Sequence, residues 1–268
     1  MSALPATASR RGLFALAACS ALGVAAGCGR LGAGSPSDRL AAAFAQPFVR
    51  VSVAWPPGQL ALPRVATAVG SGWFAASGLV VTAAHVVAAA MLPLSGLPAW
   101  VLGQGRHAPG ARVSGARVLG RQVGVLLPDG RRLPATVAAY GQSSGPGVSP
   151  LDVAVLAVRG VTGPTLRLGP AFHNGEAVWV LGAEAEGQPP ALRPGLVRAA
   201  GPGVAILSAD LAPGVSGGAV VGRDGRVQGI LAAISRGVPG LAWAVPSATV
   251  RAFLARVEGP AVPARGGR

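Results

Sequence analysis

From Phe48 to Trp55 apolar and polar side chains alternate, the period of a strand with one face buried. Val65–Phe74 and Leu79–Val81 read as two more strands, and Thr82–Ala90 as a short helix stopped before Pro93. Residues 92–115 are rich in glycine and proline, carry no period and read as a loop. Gln122–Leu127, the turn Pro128-Asp129-Gly130 and Arg132–Ala139 form a hairpin, signalled by the Asp-Gly pair. A Gly/Ser/Pro loop at 141–150 leads to an apolar strand, Leu151–Val158. The second half continues in this style, with strands at 176–182, 195–200, 203–208, 218–222, 226–234 and 240–245 and a tight turn at Asp224-Gly225. Residues 247–257 place Val250, Phe253, Leu254 and Val257 on one side of an amphipathic helix. Short strands, tight turns and one terminal helix predict an all-β chain built as two small antiparallel barrels. No internal repeat is present.

The length of 268 residues accommodates one such unit plus a leader. A hydrophobic share of 51% supplies a core, and a charged share of 12% excludes a disordered, highly charged protein. The net charge is +14, and every basic residue is arginine. These arginines are scattered, with short pairs such as Arg131-Arg132, and no basic helix or aromatic RNA-binding motif accompanies them. A nucleic-acid partner is therefore not expected.

Residues 1–28 read as an export signal. Arg10 and Arg11 form its charged region, and an apolar stretch runs from Leu13 to Ala26, too short and alanine-rich for a membrane span. Ser9-Arg10-Arg11-Gly12-Leu13-Phe14 resembles a twin-arginine signal. Leu16-Ala17-Ala18-Cys19 and Ala25-Ala26-Gly27-Cys28 each resemble a bacterial lipobox. Cys28 is the favoured lipidation site, because its position suits the length of a leader and a Gly/Ser stretch (Gly32 to Ser37) follows it; Cys19 is the alternative, and an ordinary leader with incidental cysteines is the third reading. Residues 29–47 then read as a tether with a short helical turn. With both cysteines in the leader, the folded part has no disulfide and no cysteine metal site, so packing must hold it together. No metal or organic cofactor is expected. The location implied is outside the cytoplasm: periplasmic, membrane-anchored or extracellular.

Three segments carry chemistry. Thr82-Ala83-Ala84-His85 sets a histidine where a strand meets a helix. Leu151-Asp152-Val153-Ala154 sets a carboxylate at the head of an apolar strand. Gly214-Val215-Ser216-Gly217-Gly218 sets a serine among glycines just before a strand. A serine hydroxyl is a poor nucleophile until a base takes its proton, and histidine can do so near neutral pH. A carboxylate must hold the histidine tautomer and stabilise its cation. Backbone N–H groups must receive the oxyanion, and those of Gly214 and Ser216 are the natural donors. The chain has nine acidic residues, of which Asp152 alone opens an apolar strand between the other two motifs. His107 and His173 lack comparable flanks and read as loop residues.

These segments resemble the His, Asp and Ser motifs of trypsin-like serine peptidases, in that family's order. The wider chain resembles the bacterial HtrA/DegP-like branch over about residues 66–250. Gly70-Ser71-Gly72 precedes the histidine strand, Leu127-Pro128-Asp129-Gly130 heads the middle hairpin, and Leu241-Ala242-Trp243-Ala244-Val245-Pro246-Ser247 closes the second barrel. The resemblance implies two six-stranded antiparallel barrels with a C-terminal helix and an active site between them. The domain reading is a protease domain at 48–258, with barrels at about 48–160 and 161–246 and a helix at 247–257, followed by a disordered tail at 259–268. His85, Asp152 and Ser216 would be the catalytic triad, and polypeptides the substrates. No PDZ-like segment follows, so the oligomeric regulation tied to that domain is not expected. Val215 stands where digestive trypsins carry aspartate, so activation through an ion pair to a processed N-terminus is not expected. Asp210 lies six residues before Ser216, the offset of the trypsin aspartate that selects basic side chains. Asp210 and Ser235 are thus candidates for a specificity pocket, against the small aliphatic preference that the HtrA-like resemblance implies.

The leading function is a serine endopeptidase acting on exported or extracytoplasmic proteins through an acyl-enzyme. The runner-up is a protease-like module that binds peptides without turnover. Esterase activity is a third reading that the same triad would support.

Overall fold

The computed structural model describes residues 43–54, 67–91, 122–141, 148–184 and 188–257. All belong to one compact unit, Ser35–Arg268. The leader 1–28, residues 29–42 of the tether, the loop 92–115 and the tail 259–268 lie outside the described residues, as do residues 142–147 of the loop predicted at 141–150.

Twelve strands close into two barrels, and the order of each follows from tight antiparallel pairings. The first comprises β1 (Phe48–Ala54), β2 (Thr67–Ala76), β3 (Leu79–Thr82), β4 (Gln122–Leu126), β5 (Arg132–Tyr140) and β6 (Ala154–Val158), in the order β1-β2-β3-β6-β5-β4. The second comprises β7 (Ala177–Gly182), β8 (Ala191–Ala200), β9 (Ala205–Ala209), β10 (Ala219–Val221), β11 (Val227–Ile234) and β12 (Leu241–Pro246), in the order β10-β11-β12-β9-β8-β7. Closure leaves neither sheet with a free edge. Helix α1 (Ala84–Met91) follows β3, and α2 (Ser247–Val257) follows β12.

The alternation in β1 puts Val49, Val51 and Val53 in the first barrel's interior, where they are fully buried with Val80 and Leu156, while Trp73 and Val155 are fully buried on the sheet's other face. A second apolar cluster fills the other barrel around Val180, Leu207, Val220 and Leu231. Residues 159–176 link the two. Leu166 donates its N–H to Phe74 O at the end of β2 (2.8 Å), and Leu168 bridges in parallel to Val227 of β11. Helix α2 buries Val250, Phe253 and Leu254 and touches β5 and β6 of the first barrel as well as β11 and β12 of its own. The Ser247 hydroxyl donates to Gly169 O or Pro170 O, both 3.1 Å away, and ties the helix start to the linker.

Three differences from the sequence reading have a local reason. Helix α1 starts at Ala84 rather than Thr82, because Thr82 still pairs with Gly72 in the β2–β3 ladder and donates its buried hydroxyl to Ser71 O (2.8 Å). The strand expected from Leu151 starts at Ala154, because Asp152 N donates to Ser149 O and Val153 N to Leu151 O, which curls the chain before it extends. Strand β8 begins at Ala191, four residues earlier than expected. Residues 191–194 pair with β7 alone, and at such an edge Pro194 is tolerated within a strand.

Leu156 has no exposed surface and lies in the middle of β6. Leu156→Ala is expected to cost about 2–5 kcal/mol of folding free energy, the range for a leucine cavity in a packed core. Urea unfolding followed by tryptophan fluorescence measures it as a lower midpoint at unchanged slope.

Candidate active site

Helix α1 carries His85 at its second position, directly after the end of β3. The curled segment before β6 delivers Asp152 beside it. Asp152 is 5% exposed, and both its oxygens face His85. Oδ2 lies 2.7 Å from His85 Nδ1, and Oδ1 accepts the His85 backbone N–H at 2.9 Å. A carboxylate bonded to Nδ1 makes that nitrogen the donor, which leaves Nε2 as the basic nitrogen of the neutral ring. The backbone bond adds a second point of attachment, so the carboxylate fixes both the ring and the helix start. The His85 side chain is 18% exposed.

Tyr140, the one tyrosine of the chain, pairs with Ala154 across β5–β6. Burial raises the Tyr140 phenol above its ordinary value, and the negative charge of Asp152 raises it further.

The turn Val215–Gly218 of the second barrel carries Ser216, which is half-buried. Three backbone bonds fix it on the second barrel: Gly218 N to Val215 O (2.9 Å), Gly217 N to Leu231 O (2.8 Å) and Leu231 N to Gly218 O (2.8 Å). Val215 is 1% exposed and belongs to the apolar cluster of this barrel. The turn is thus supported by packing at the position where digestive trypsins use an ion pair. A further bond docks the turn on the first barrel, from Ser71 N in β2 to Ser216 O at 2.7 Å. Gly217 lies against Ser71 O, the Thr82 hydroxyl and Ala83 N, so closely that a Cβ there would collide with all three. Ser216 therefore sits beside the strand end that leads, two residues on from Ala83, to His85. The structure brings all three sequence-predicted residues to one edge of the first barrel.

Gly214 adopts φ +104°, a conformation natural only to glycine. Neither its N–H nor that of Ser216 donates to a backbone acceptor among the described residues. Asp210 is exposed. It follows β9 directly, where Ala209 N donates to Gly240 O and the chain leaves the barrel, and its charge acts on Arg193. The Arg193 guanidinium is itself held by Glu184 through two bonds of 2.8 and 3.0 Å. Ser235 is half-buried, and its hydroxyl accepts the Val238 N–H (2.9 Å) within the turn between β11 and β12. The lipidation candidates Cys28 and Cys19, like His107, lie outside the described residues; His173 is exposed beside Glu176. Among the described residues no His, Cys, Asp or Glu cluster could hold a metal ion. Sequence reasoning did not give Ser71 or Tyr140 a place in the site; the Gly70-Ser71-Gly72 motif was visible, but nothing local shows what its hydroxyl meets.

A single tyrosine makes the Tyr140–Asp152 proximity measurable. Tyrosinate absorbance is expected to titrate above the ordinary value of about 10. Asp152→Asn is expected to shift the titration downward while leaving it elevated, because burial, the larger cause, remains. An unshifted titration in the variant would contradict the placement of the two side chains.

The trypsin-like peptidase domain family model matches residues 70–230. A search of curated protein sequences finds no match. Among solved structures, the chain is similar to the active form of the Rv3671c protease from M. tuberculosis, with 22% identity, 89% of this chain and 96% of that one covered, and a TM-score of 0.59. The inactive form of a serine-to-alanine mutant of the same protease aligns at 21% identity, over 87% of this chain and 98% of that one, with a TM-score of 0.55. A serine endoprotease from Yersinia pestis aligns at 20% identity, over 84% of this chain and 68% of that one, with a TM-score of 0.57. These structures share the fold, and the family match covers more than half of the sequence, including His85, Asp152 and Ser216. The chain belongs to the trypsin-like peptidase family.

Proposed function

We propose that the protein is a serine endopeptidase of exported or extracytoplasmic polypeptides, with Ser216 as nucleophile, His85 as general base and Asp152 as the group that orients His85. The observation that carries this reading is the two-point hold of Asp152 on His85, with the Ser216 turn docked beside the same strand end. His85 Nε2 takes the Ser216 hydroxyl proton as the oxygen attacks the peptide carbonyl. The backbone N–H groups of Gly214 and Ser216 receive the developing oxyanion. His85 then gives the proton to the leaving amine, and the C–N bond breaks to an ester on Ser216. Water, deprotonated by the same histidine, hydrolyses that ester and restores the free hydroxyl. Ser216, His85 and one water supply every proton and electron pair, so the cycle requires no cofactor.

Export and tethering rest on the leader. The twin-arginine-like start, the apolar stretch and Cys28 within a lipobox support delivery outside the cytoplasm and anchoring through an acylated cysteine. Radiolabelled palmitate is expected to enter the full chain expressed in a bacterium that processes lipoproteins, and Cys28→Ala to abolish the label. Incorporation that survives Cys28→Ala but not Cys19→Ala would move the anchor to Cys19.

For catalysis, a fluorophosphonate probe and casein cleavage are the direct test. Wild type is expected to be labelled and to cleave casein, and Ser216→Ala to lose both. Asp152→Asn is expected to lower kcat on the order of 10⁴-fold, the cost of the wrong histidine tautomer in the Ser-His-Asp template. Peptide binding by folded wild type without labelling or cleavage would replace the enzyme with a binding module. Ester turnover without casein cleavage would replace the peptidase with an esterase.

A further inference from the structure

We propose that Ser71 is a positioning residue for the oxyanion site, its hydroxyl holding Gly214 in the conformation that aims the Gly214 N–H at the reacting carbonyl. This rests on the reading of Ser216 as nucleophile. Ser71 lies in β2, on the opposite barrel from Gly214, and is fully buried. Its Oγ donates to Gly214 O at 2.9 Å and accepts the Ala183 N–H at 3.2 Å. A hydroxyl has one hydrogen to donate, so these two bonds fix its rotation.

The bonds act on both sides of one flexible residue. Gly214 can rotate more freely than any other residue type. One restraint on Gly214 is the grip on its carbonyl. The other is the chain it leans on, since a Cβ at Gly214 would lie 2.7 Å from Ala183 O and 2.6 Å from Glu184 O. Ser71 supplies the first restraint directly and anchors the second through Ala183. The same hydroxyl thus ties the Gly214–Val215 peptide, next to the donor N–H, to the barrel that carries His85, beside the Ser71 N–H to Ser216 O bond.

This role differs from general support of the fold. Ser71→Ala leaves the backbone bond from Ser71 N to Ser216 O in place, so the nucleophile turn stays docked while Gly214 loses its restraint. The full-length chain is assayed as wild type, Ser71→Ala and Ser71→Cys, the last keeping a weak donor at the same position. Active sites are counted by the end-point of fluorophosphonate labelling, and rates are expressed per active site. Ser71→Ala is expected to lower both the labelling rate constant and kcat by roughly tenfold, less than the 10²–10³ seen when an oxyanion donor is removed outright, because the donor is loosened rather than lost. KM is expected to change little, and affinity for a peptide boronate, which mimics the tetrahedral state, to fall in step with kcat/KM. Ser71→Cys is expected to be intermediate.

A lower melting temperature or fewer active sites, with wild-type rates at each site, would overturn the proposal and leave Ser71 a structural residue. A rise in KM alone would do the same. If Ser71→Ala does not fold, wild-type rates in Ser71→Cys overturn it. Wild type that is not labelled at Ser216 removes the functional reading and this proposal together, whereas Ser216 labelling at equal rates in all three proteins removes this proposal only.

Discussion

A trypsin-like site is divided between two barrels, so its geometry depends on how the nucleophile turn of one docks on the other. Here the contact is backbone against backbone, from the Ser71 N–H in β2 to Ser216 O at 2.7 Å. Main-chain bonds have fixed length and direction and no rotamer to lose, so they transmit position better than side-chain packing. The approach also demands a residue without a Cβ at 217, where Ser71 O, the Thr82 hydroxyl and Ala83 N leave no room. The Thr82 hydroxyl in turn holds Ser71 O, which joins the docking strand to the strand that ends at the histidine.

Around that contact the chain relies on packing where other members of its class use covalent or ionic devices. The described residues contain no cysteine, and the residue before Ser216 is a valine buried in the second barrel. A buried ion pair there would have to offset the desolvation of two charges, which packing avoids. Ion pairs away from the site, such as Arg131 with Asp129 and Arg193 with Glu184, are at least partly exposed and contribute little to stability. Acidic groups are scarce enough that Asp152 stands out. It is buried and satisfied by two donors from His85 itself, so its desolvation is met within the pair it serves.

The sequence was informative wherever a signal was local. Strand alternation at 48–54, the Asp-Gly hairpin at 129–130, the apolar stripe of α2 and the flanks of His85 and Ser216 all depend on neighbours within a few residues. Errors arose where distant partners decided the outcome. Thr82 belongs to β3 because Gly72 pairs with it, and β8 extends through Pro194 because only one neighbour lies there.

By itself, then, the sequence determined an all-β double barrel and named His85, Asp152 and Ser216, since periodicity and short motifs encode element type and chemical residue type within a few positions. The tertiary structure alone decided how those residues meet. The Asp152 grip on both the ring and the backbone of His85 spans 67 residues, and the Ser71 hold on Gly214 spans 143. Contacts across such separations leave no periodic trace in the chain, because they are set by barrel closure and docking rather than by neighbours along it.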